Sequence, residues 1–163
     1  MSLTYSPEQL EAFHALARIV SKEVKHLDQT RSRLLHEHID TAWVNALESN
    51  LDLAERVEAF SSRFDRLQDT LGDKLLPRMA QMTGFRPAAP IELLAQAEKL
   101  GWIASADQWL EWRKLRNRLV HEYVSDPAEF ADALNLCLTA SLDLIDAESN
   151  IRDHAIKLGL LVC

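Results

Sequence analysis

The sequence has 163 residues and a formal net charge of −7, with 47% hydrophobic and 26% charged residues. These proportions are typical of a globular domain and exclude a disordered tail or a collagen-like repeat. With only 4 Gly and 5 Pro, the chain is not expected to form a loop-rich β-sandwich or barrel. The acidic balance excludes a basic surface over the whole molecule, so any contact with nucleic acid requires a local basic patch.

The cysteines and the N-terminal residues indicate the compartment. Cys137 and Cys163 are far apart and form no CxxC motif, which favours a reducing cytoplasm over a disulfide framework. The N-terminal residues lack the basic and apolar regions of a signal peptide, and no stretch approaches the roughly 18 apolar residues of a membrane span. We therefore expect a cytoplasmic protein without membrane contact.

The first half of the chain has helical start signals and helical spacing. A capping box formed by Ser6 and Gln9 predicts the start of the first helix. Apolar residues then recur every three or four positions as far as Leu34, which indicates one amphipathic stripe. A second helix is expected to begin at Asp40 or Thr41, because either side chain can act as its N-cap.

The second apolar stripe, from Leu47 onwards, reaches Gly72 and Pro77. These two residues are expected to end or kink the helix. Residues 72–90 are therefore expected to be a kink or loop region, in which 73–83 can form a further helical piece and 83–90 is the clearest loop.

Three further helical segments complete the prediction. Gly101 is expected to close a short helix over about 91–100, a capping box begins at Ser105, and Asp126 starts a last long helix. We predict a single all-α domain over residues 1–163, an up-and-down bundle of four to six helices.

Four of the 18 basic residues lie within six positions of this acidic chain, at Arg113, Lys114, Arg116 and Arg118. Guanidinium groups match the geometry of phosphate, and His121 can titrate near neutral pH. A His can move a proton to or from a ribose oxygen, and an Arg can stabilise the charge on a phosphorane. The segment thus has the groups that a metal-free ribonuclease needs, with Arg113, Lys114 and Arg118 as candidate RNA contacts.

The alternative interpretation of this cluster is a solvated surface. On such a surface Arg113, Lys114 and Arg118 would pair with Glu111 and Glu122, as surface charges usually do. The sequence has no glycine-rich phosphate loop, no nucleophile elbow and no HExxH motif, so we expect neither a cofactor nor a metal ion.

The spacing between Arg and His is not informative by itself. With 12 Arg and 6 His, chance places a His five positions after an Arg about 0.4 times. The spacing occurs three times, at Arg31/His36, Arg33/His38 and Arg116/His121. The last pair is distinguished by its context: Asn117, Tyr123 and a position between the end of one helix and the start of the next.

The segment Arg116–Tyr123, RNRLVHEY, resembles the R-x4-H-x-Y signature of HEPN domains of the HepT type, in which a polar residue such as Asn117 commonly follows the Arg. The close similarity covers about residues 109–134. It implies a HEPN-like helical bundle that forms a homodimer, with the active site at the dimer interface. It also implies a metal-independent endoribonuclease that leaves 2′,3′-cyclic phosphate ends, the toxin component of a toxin–antitoxin pair.

The resemblance also implies a role for each residue of the motif. His121 would be the acid or base, Arg116 would bind or polarise the phosphate, and Asn117 would orient one of them or the substrate. Tyr123 would accept AMP from a partner minimal nucleotidyltransferase, the antitoxin, and the added negative charge would block the RNA path. The alternative is a non-catalytic accessory or substrate-binding subunit of a nucleotidyltransferase.

Helical geometry constrains this site. Five residues turn a helix by about 500°, so positions 116 and 121 lie about 140° apart, whereas 117 and 121 share a face. Either the helix loosens before His121, or Arg116 and His121 converge with their counterparts across a two-fold axis.

Overall fold

The computed structural model describes residues 5–163, except for the side chains of residues 120–125. Within this part of the chain all regular structure is helical, which confirms the predicted all-α class. The helices are α1 (Pro7–Leu34), α2 (Thr41–Asn45), α3 (Leu51–Thr70), α4 (Leu76–Met82), α5 (Pro90–Lys99), α6 (Ala106–Ser125) and α7 (Pro127–Lys157). A π-helical turn, Leu71–Leu75, joins α3 and α4 into one continuous rod.

Side-chain caps fix the predicted helix starts. At α1 both bonds of the capping box form: the Gln9 backbone N–H donates to Ser6 Oγ at 3.1 Å, and the Ser6 backbone N–H donates to Gln9 Oε1 at 2.8 Å. Ser105 Oγ accepts from the Gln108 backbone N–H in the first turn of α6, and the Asp126 carboxylate accepts two N–H groups at the start of α7. Each cap satisfies donors that the first turn leaves unpaired, so the helix begins there.

The hydrophobic core lies among α1, α3, α6 and α7, which make the main contacts between helices. Aromatic side chains fill its centre, and the largest fully buried ones are Trp102, Phe13, Phe60, Phe64 and Phe130. The apolar faces of α1, α3 and α7 therefore pack against one another, because apolar area is removed from water when they do. Trp109, Trp112 and Cys137 are also buried in this core.

The structure divides the expected second helix in two. Asp40 caps α2 as predicted, but α2 ends at Asn45, and a 3-10 turn, Ala46–Ser49, follows. Asn50 then leaves the helical region, with φ −129° and ψ 86°, and its side chain caps α3. An Asn side chain competes for backbone hydrogen bonds and so favours a cap over a helix interior, which is why the helix breaks here.

The sequence predicts that Gly72 and Pro77 end or kink this helix, and in the structure the helix does not end at Gly72. The π-helical turn carries the chain through this residue, and Pro77 is tolerated because it lies in the first turn of α4. A side chain at position 72 would meet α6: a Cβ there would lie 3.0 Å from Arg113 Nη2. Of the expected kink or loop region 72–90, the part up to Met82 is helical, and the loop is confined to residues 83–89.

Candidate functional site

Arg113 and Arg116 of α6 line a polar groove that lies against the end of α3 and the π-helical turn. The groove has a volume of about 250 Å³. Its walls are formed by Gln68, Asp69, Asp73, Arg113, Arg116 and Asn117. Two of the three predicted catalytic residues, Arg116 and Asn117, therefore lie side by side on one surface depression.

Arg116 is held by two carboxylates of α3. Its Nη1 donates a hydrogen bond to Asp69 Oδ1, and its Nε lies 3.4 Å from Asp65 Oδ1. The contact to Asp65 is an ion pair without hydrogen-bond geometry, since Asp65 Oδ1 has no hydrogen-bond partner among the described residues. Asp65 and Asp69 are one helical turn apart, so both reach the same guanidinium.

The environment of Asp65 opposes its ionisation. Burial raises the pKa of the Asp65 carboxyl, the charge of Arg116 lowers it, and the neighbouring Asp69 raises it again, so that the pKa lies above its ordinary range. Arg116 therefore supplies the favourable interaction for a carboxylate that burial and Asp69 disfavour. The side chain of Arg116 is 37% exposed, so one part of the guanidinium remains accessible from the groove.

The other basic residues of α6 are also paired, and their partners lie at or near the surface. The three ion pairs are Arg113 with Asp73 at 3.0 Å, Lys114 with Glu111 at 3.1 Å, and Arg118 with Glu129 at 2.9 Å. One predicted partner, Glu111, is present in this set, whereas Asp73 and Glu129 were not foreseen. The positive charge of the segment is thus balanced locally by carboxylates of α3, α6 and α7.

The predicted catalytic His121 and the predicted AMP acceptor Tyr123 lie outside the side chains that the structure describes. The helix that contains them is regular: α6 continues to Ser125. Of the two geometric alternatives, loosening of the helix before position 121 is therefore not observed. Positions 116 and 121 remain about 140° apart around the axis of one helix.

Gln68 is a residue of the groove that the sequence analysis did not identify. It is 2% exposed, and neither its amide nitrogen nor its amide oxygen has a hydrogen-bond partner among the described residues. A buried amide without partners is costly, and an amide presents one acceptor and two donors to a ligand or a water molecule. The sequence gave no sign that Gln68 would line the groove, because it lies within the apolar spacing of α3.

The aspartates that face the cations of α6 were also missed, although the sequence contains a signal of their position. Asp65, Asp69 and Asp73 recur every four residues, a spacing that places side chains on one helix face. Within the described side chains, no group of three or more His, Cys, Asp or Glu residues is placed to hold a metal ion. These carboxylates instead face cations of α6.

No helix in the described residues is both long and apolar enough to cross a membrane. No family model matches the chain, and neither the curated proteins nor the solved structures include a significant match. The interpretation of the site therefore depends on the motif and on the contacts of this chain's own residues.

Proposed function

We propose that the protein is a metal-independent endoribonuclease with a HEPN-like fold, the toxin of a pair whose antitoxin is a minimal nucleotidyltransferase. The observation that supports this proposal is the position of Arg116 and Asn117, which are adjacent on an open polar groove. An arginine that is oriented by carboxylates and still partly exposed is suited to contact a phosphodiester. The same motif, RNRLVHEY, supplies the other two groups of the proposed site, His121 and Tyr123.

The proposed reaction is an internal transfer at phosphorus. His121 takes the proton of the ribose 2′-OH while water protonates the leaving 5′-oxygen, or His121 protonates the 5′-oxygen while water takes the 2′-OH proton. The 2′-oxygen bonds to phosphorus as the bond to the 5′-oxygen breaks, which gives a 2′,3′-cyclic phosphate and a 5′-hydroxyl end. Arg116 stabilises the additional negative charge of the phosphorane, and Asn117, which shares a helix face with position 121, orients the histidine or the substrate.

The regular helix favours an active site built from two copies of the chain. Arg116 and His121 lie on different faces of α6, so a single copy does not direct both positions to one phosphate. A two-fold axis beside α6 would bring Arg116 of one copy towards His121 of the other. The proposal therefore includes a homodimer with its cleft at the interface.

Substrate binding requires Arg116 to exchange part of its contact with α3 for the phosphate. Arg116 and its two carboxylate partners are each between a quarter and a half exposed. Ion pairs in such positions contribute about 0.2–1 kcal/mol. The exchange is therefore accessible, and the carboxylates hold the guanidinium near the groove in the free protein.

A second candidate function is the accessory subunit of a nucleotidyltransferase. The observation that favours it is the local balance of charge: Arg113, Lys114, Arg116 and Arg118 each pair with a carboxylate. A surface without free cations binds a polyanion less strongly. In this alternative the groove does not bind RNA, and the ion pairs of α6 stabilise the fold or contact the nucleotidyltransferase.

Cleavage of total RNA and of tRNA in EDTA tests the proposal. The protein is produced without any nucleotidyltransferase, so that Tyr123 is unmodified, and it is compared with Arg116→Ala and His121→Ala. The pair Arg33 and His38 has the same spacing on an exposed surface, so Arg33→Ala and His38→Ala are matched controls. We expect both site variants to lose about 10²-fold or more in rate, because they remove acid–base and charge stabilisation.

The controls should cleave like the original protein, and the products should end in cyclic phosphate. A folded, dimeric and unmodified protein that cleaves neither RNA would instead support the accessory subunit. The following measurement would then be incorporation of labelled AMP by a minimal nucleotidyltransferase, with Tyr123→Phe as the control.

A further inference from the structure

A second cavity lies away from the groove, between α1, the π-helical turn and α7. Its volume is about 270 Å³, and the C-terminal residues cover one side. The buried side chains of Phe13, Val20, Leu75 and Ile151 form its floor, and Ala17, Leu161 and Val162 supply apolar surface that is accessible from outside. None of these residues belongs to the site proposed above, so the cavity is an independent feature of the fold.

Charged side chains surround the opening of this cavity. Arg152 Nη1 lies 3.6 Å from Glu148 Oε1, and the Glu148 side chain is 8% exposed. Arg18 also lines the cavity, is exposed, and makes no hydrogen bond or ion pair with the described residues. His14 is not available in the same way, because its Nε2 lies 2.7 Å from the backbone oxygen of Leu160.

The balance of charge at this opening is positive. Two arginines face one carboxylate, although the protein as a whole has a net charge of −7. An apolar cavity with a few convergent polar groups is the usual form of a small-molecule site. A guanidinium without a partner at its edge selects for an anionic group, above all a carboxylate or phosphate.

The size of the cavity limits the ligand. A water molecule occupies about 30 Å³ of the liquid, so the cavity corresponds to roughly nine waters. The ligand is therefore small, on the order of ten non-hydrogen atoms, with most of them apolar.

We propose that this cavity binds a small amphiphilic carboxylate. The apolar body lies against Ala17, Leu161 and Val162 above the buried floor, and the carboxylate faces Arg18, with Arg152 as the second cation. This site does not depend on the proposed ribonuclease activity. It assigns the protein a ligand whose binding is measurable whether or not the groove cleaves RNA.

Calorimetric titration with octanoate and with octanol tests the proposal, because the two probes have the same apolar chain and differ in charge. The variant Arg18→Gln removes the free cation, and Arg33→Gln makes the same charge change elsewhere on α1. We expect the original protein and Arg33→Gln to prefer octanoate. In Arg18→Gln that preference should fall by up to about fivefold, the effect of one exposed charge pair.

Ala17→Phe, which projects a ring into the cavity, should abolish binding of both probes. Ser21→Phe at the opening serves the same purpose if circular dichroism shows that Ala17→Phe does not fold. The proposal is overturned if octanoate does not bind at millimolar concentration. It is also overturned if the preference for octanoate is unchanged in Arg18→Gln, or if both cavity-filling variants bind octanoate as well as the original protein.

Discussion

Neutralising Asp69 tests whether the carboxylates of α3 restrain Arg116. The substitution Asp69→Asn removes the hydrogen-bonded charge and keeps the shape of the side chain. The two side chains are 37% and 44% exposed, so the pair lies in the range of about 0.2–1 kcal/mol found for exposed ion pairs. If Arg116 contacts phosphate, this free energy becomes available for RNA binding, and the Kd should fall by about 1.5- to fivefold.

Fluorescence anisotropy with a labelled single-stranded RNA measures this effect. The background is His121→Ala, so that the RNA is not cleaved during the titration. One additional phosphate contact on a single strand steepens the plot of log K against log salt by about 0.7. The control is Glu58→Gln, which makes the same charge change at an exposed position of α3.

The affinity and the salt slope together distinguish an effect of Arg116 from an effect of net charge. Equal gains from Asp69→Asn and Glu58→Gln would show that net charge, not Arg116, limits binding. An unchanged affinity and slope in Asp69→Asn would refute the argument that Arg116 exchanges a carboxylate for phosphate. A gain that Arg116→Ala does not remove would refute it as well.

Three predictions concern stability, each measured by urea unfolding. Burial raises the pKa of the Glu148 carboxyl, so the folded state holds this proton more tightly than the unfolded state does. The free energy of unfolding should therefore fall as the pH rises from the ordinary 4.5 through the raised pKa. Glu148→Gln should flatten this fall, and parallel stability–pH curves for the two proteins would contradict the prediction. Trp102 Nε1 donates to His154 Nδ1 at 2.7 Å, so Trp102→Phe should cost about 1–3 kcal/mol, and a loss near zero would show that the bond contributes nothing net. Asn50→Ala removes the cap on the Leu53 N–H and should cost about 0.5–2 kcal/mol, whereas Asn50→Gly should cost only a few tenths.

Local signals predict the helix starts and the apolar faces of this fold, because caps and stripes depend on residues within one or two turns. The same signals fail where several local preferences compete. The spacing from Leu47 onwards is helical on both sides of Asn50, so periodicity alone does not reveal the break. Gly72 is a helix-breaking residue in isolation, but here the absence of a side chain lets Arg113 approach, and tertiary packing keeps the chain helical.

The candidate site shows a similar division between local and long-range information. The sequence identifies Arg116 through its neighbours, but its partner Asp69 is 47 positions away, and no local rule assigns that contact. The three Arg/His pairs have the same spacing in the sequence, and the structure shows that the surroundings of their arginines differ. Arg31 Nε donates to the Leu138 carbonyl at 3.2 Å and so joins α1 to α7, and Arg33 lies on an exposed surface.

Arg116 differs from both because it borders an open groove that also contains a buried amide, that of Gln68, with no hydrogen-bond partner among the described residues. The Arg31 guanidinium donates to a backbone carbonyl and so has a structural role. The exposed Arg33 side chain has no fixed geometry. A guanidinium held beside a polar groove is oriented and can still exchange its partners, which is the requirement for binding phosphate. Comparing the loss of cleavage in Arg116→Ala with that in Arg33→Ala therefore measures the effect of surroundings at constant spacing.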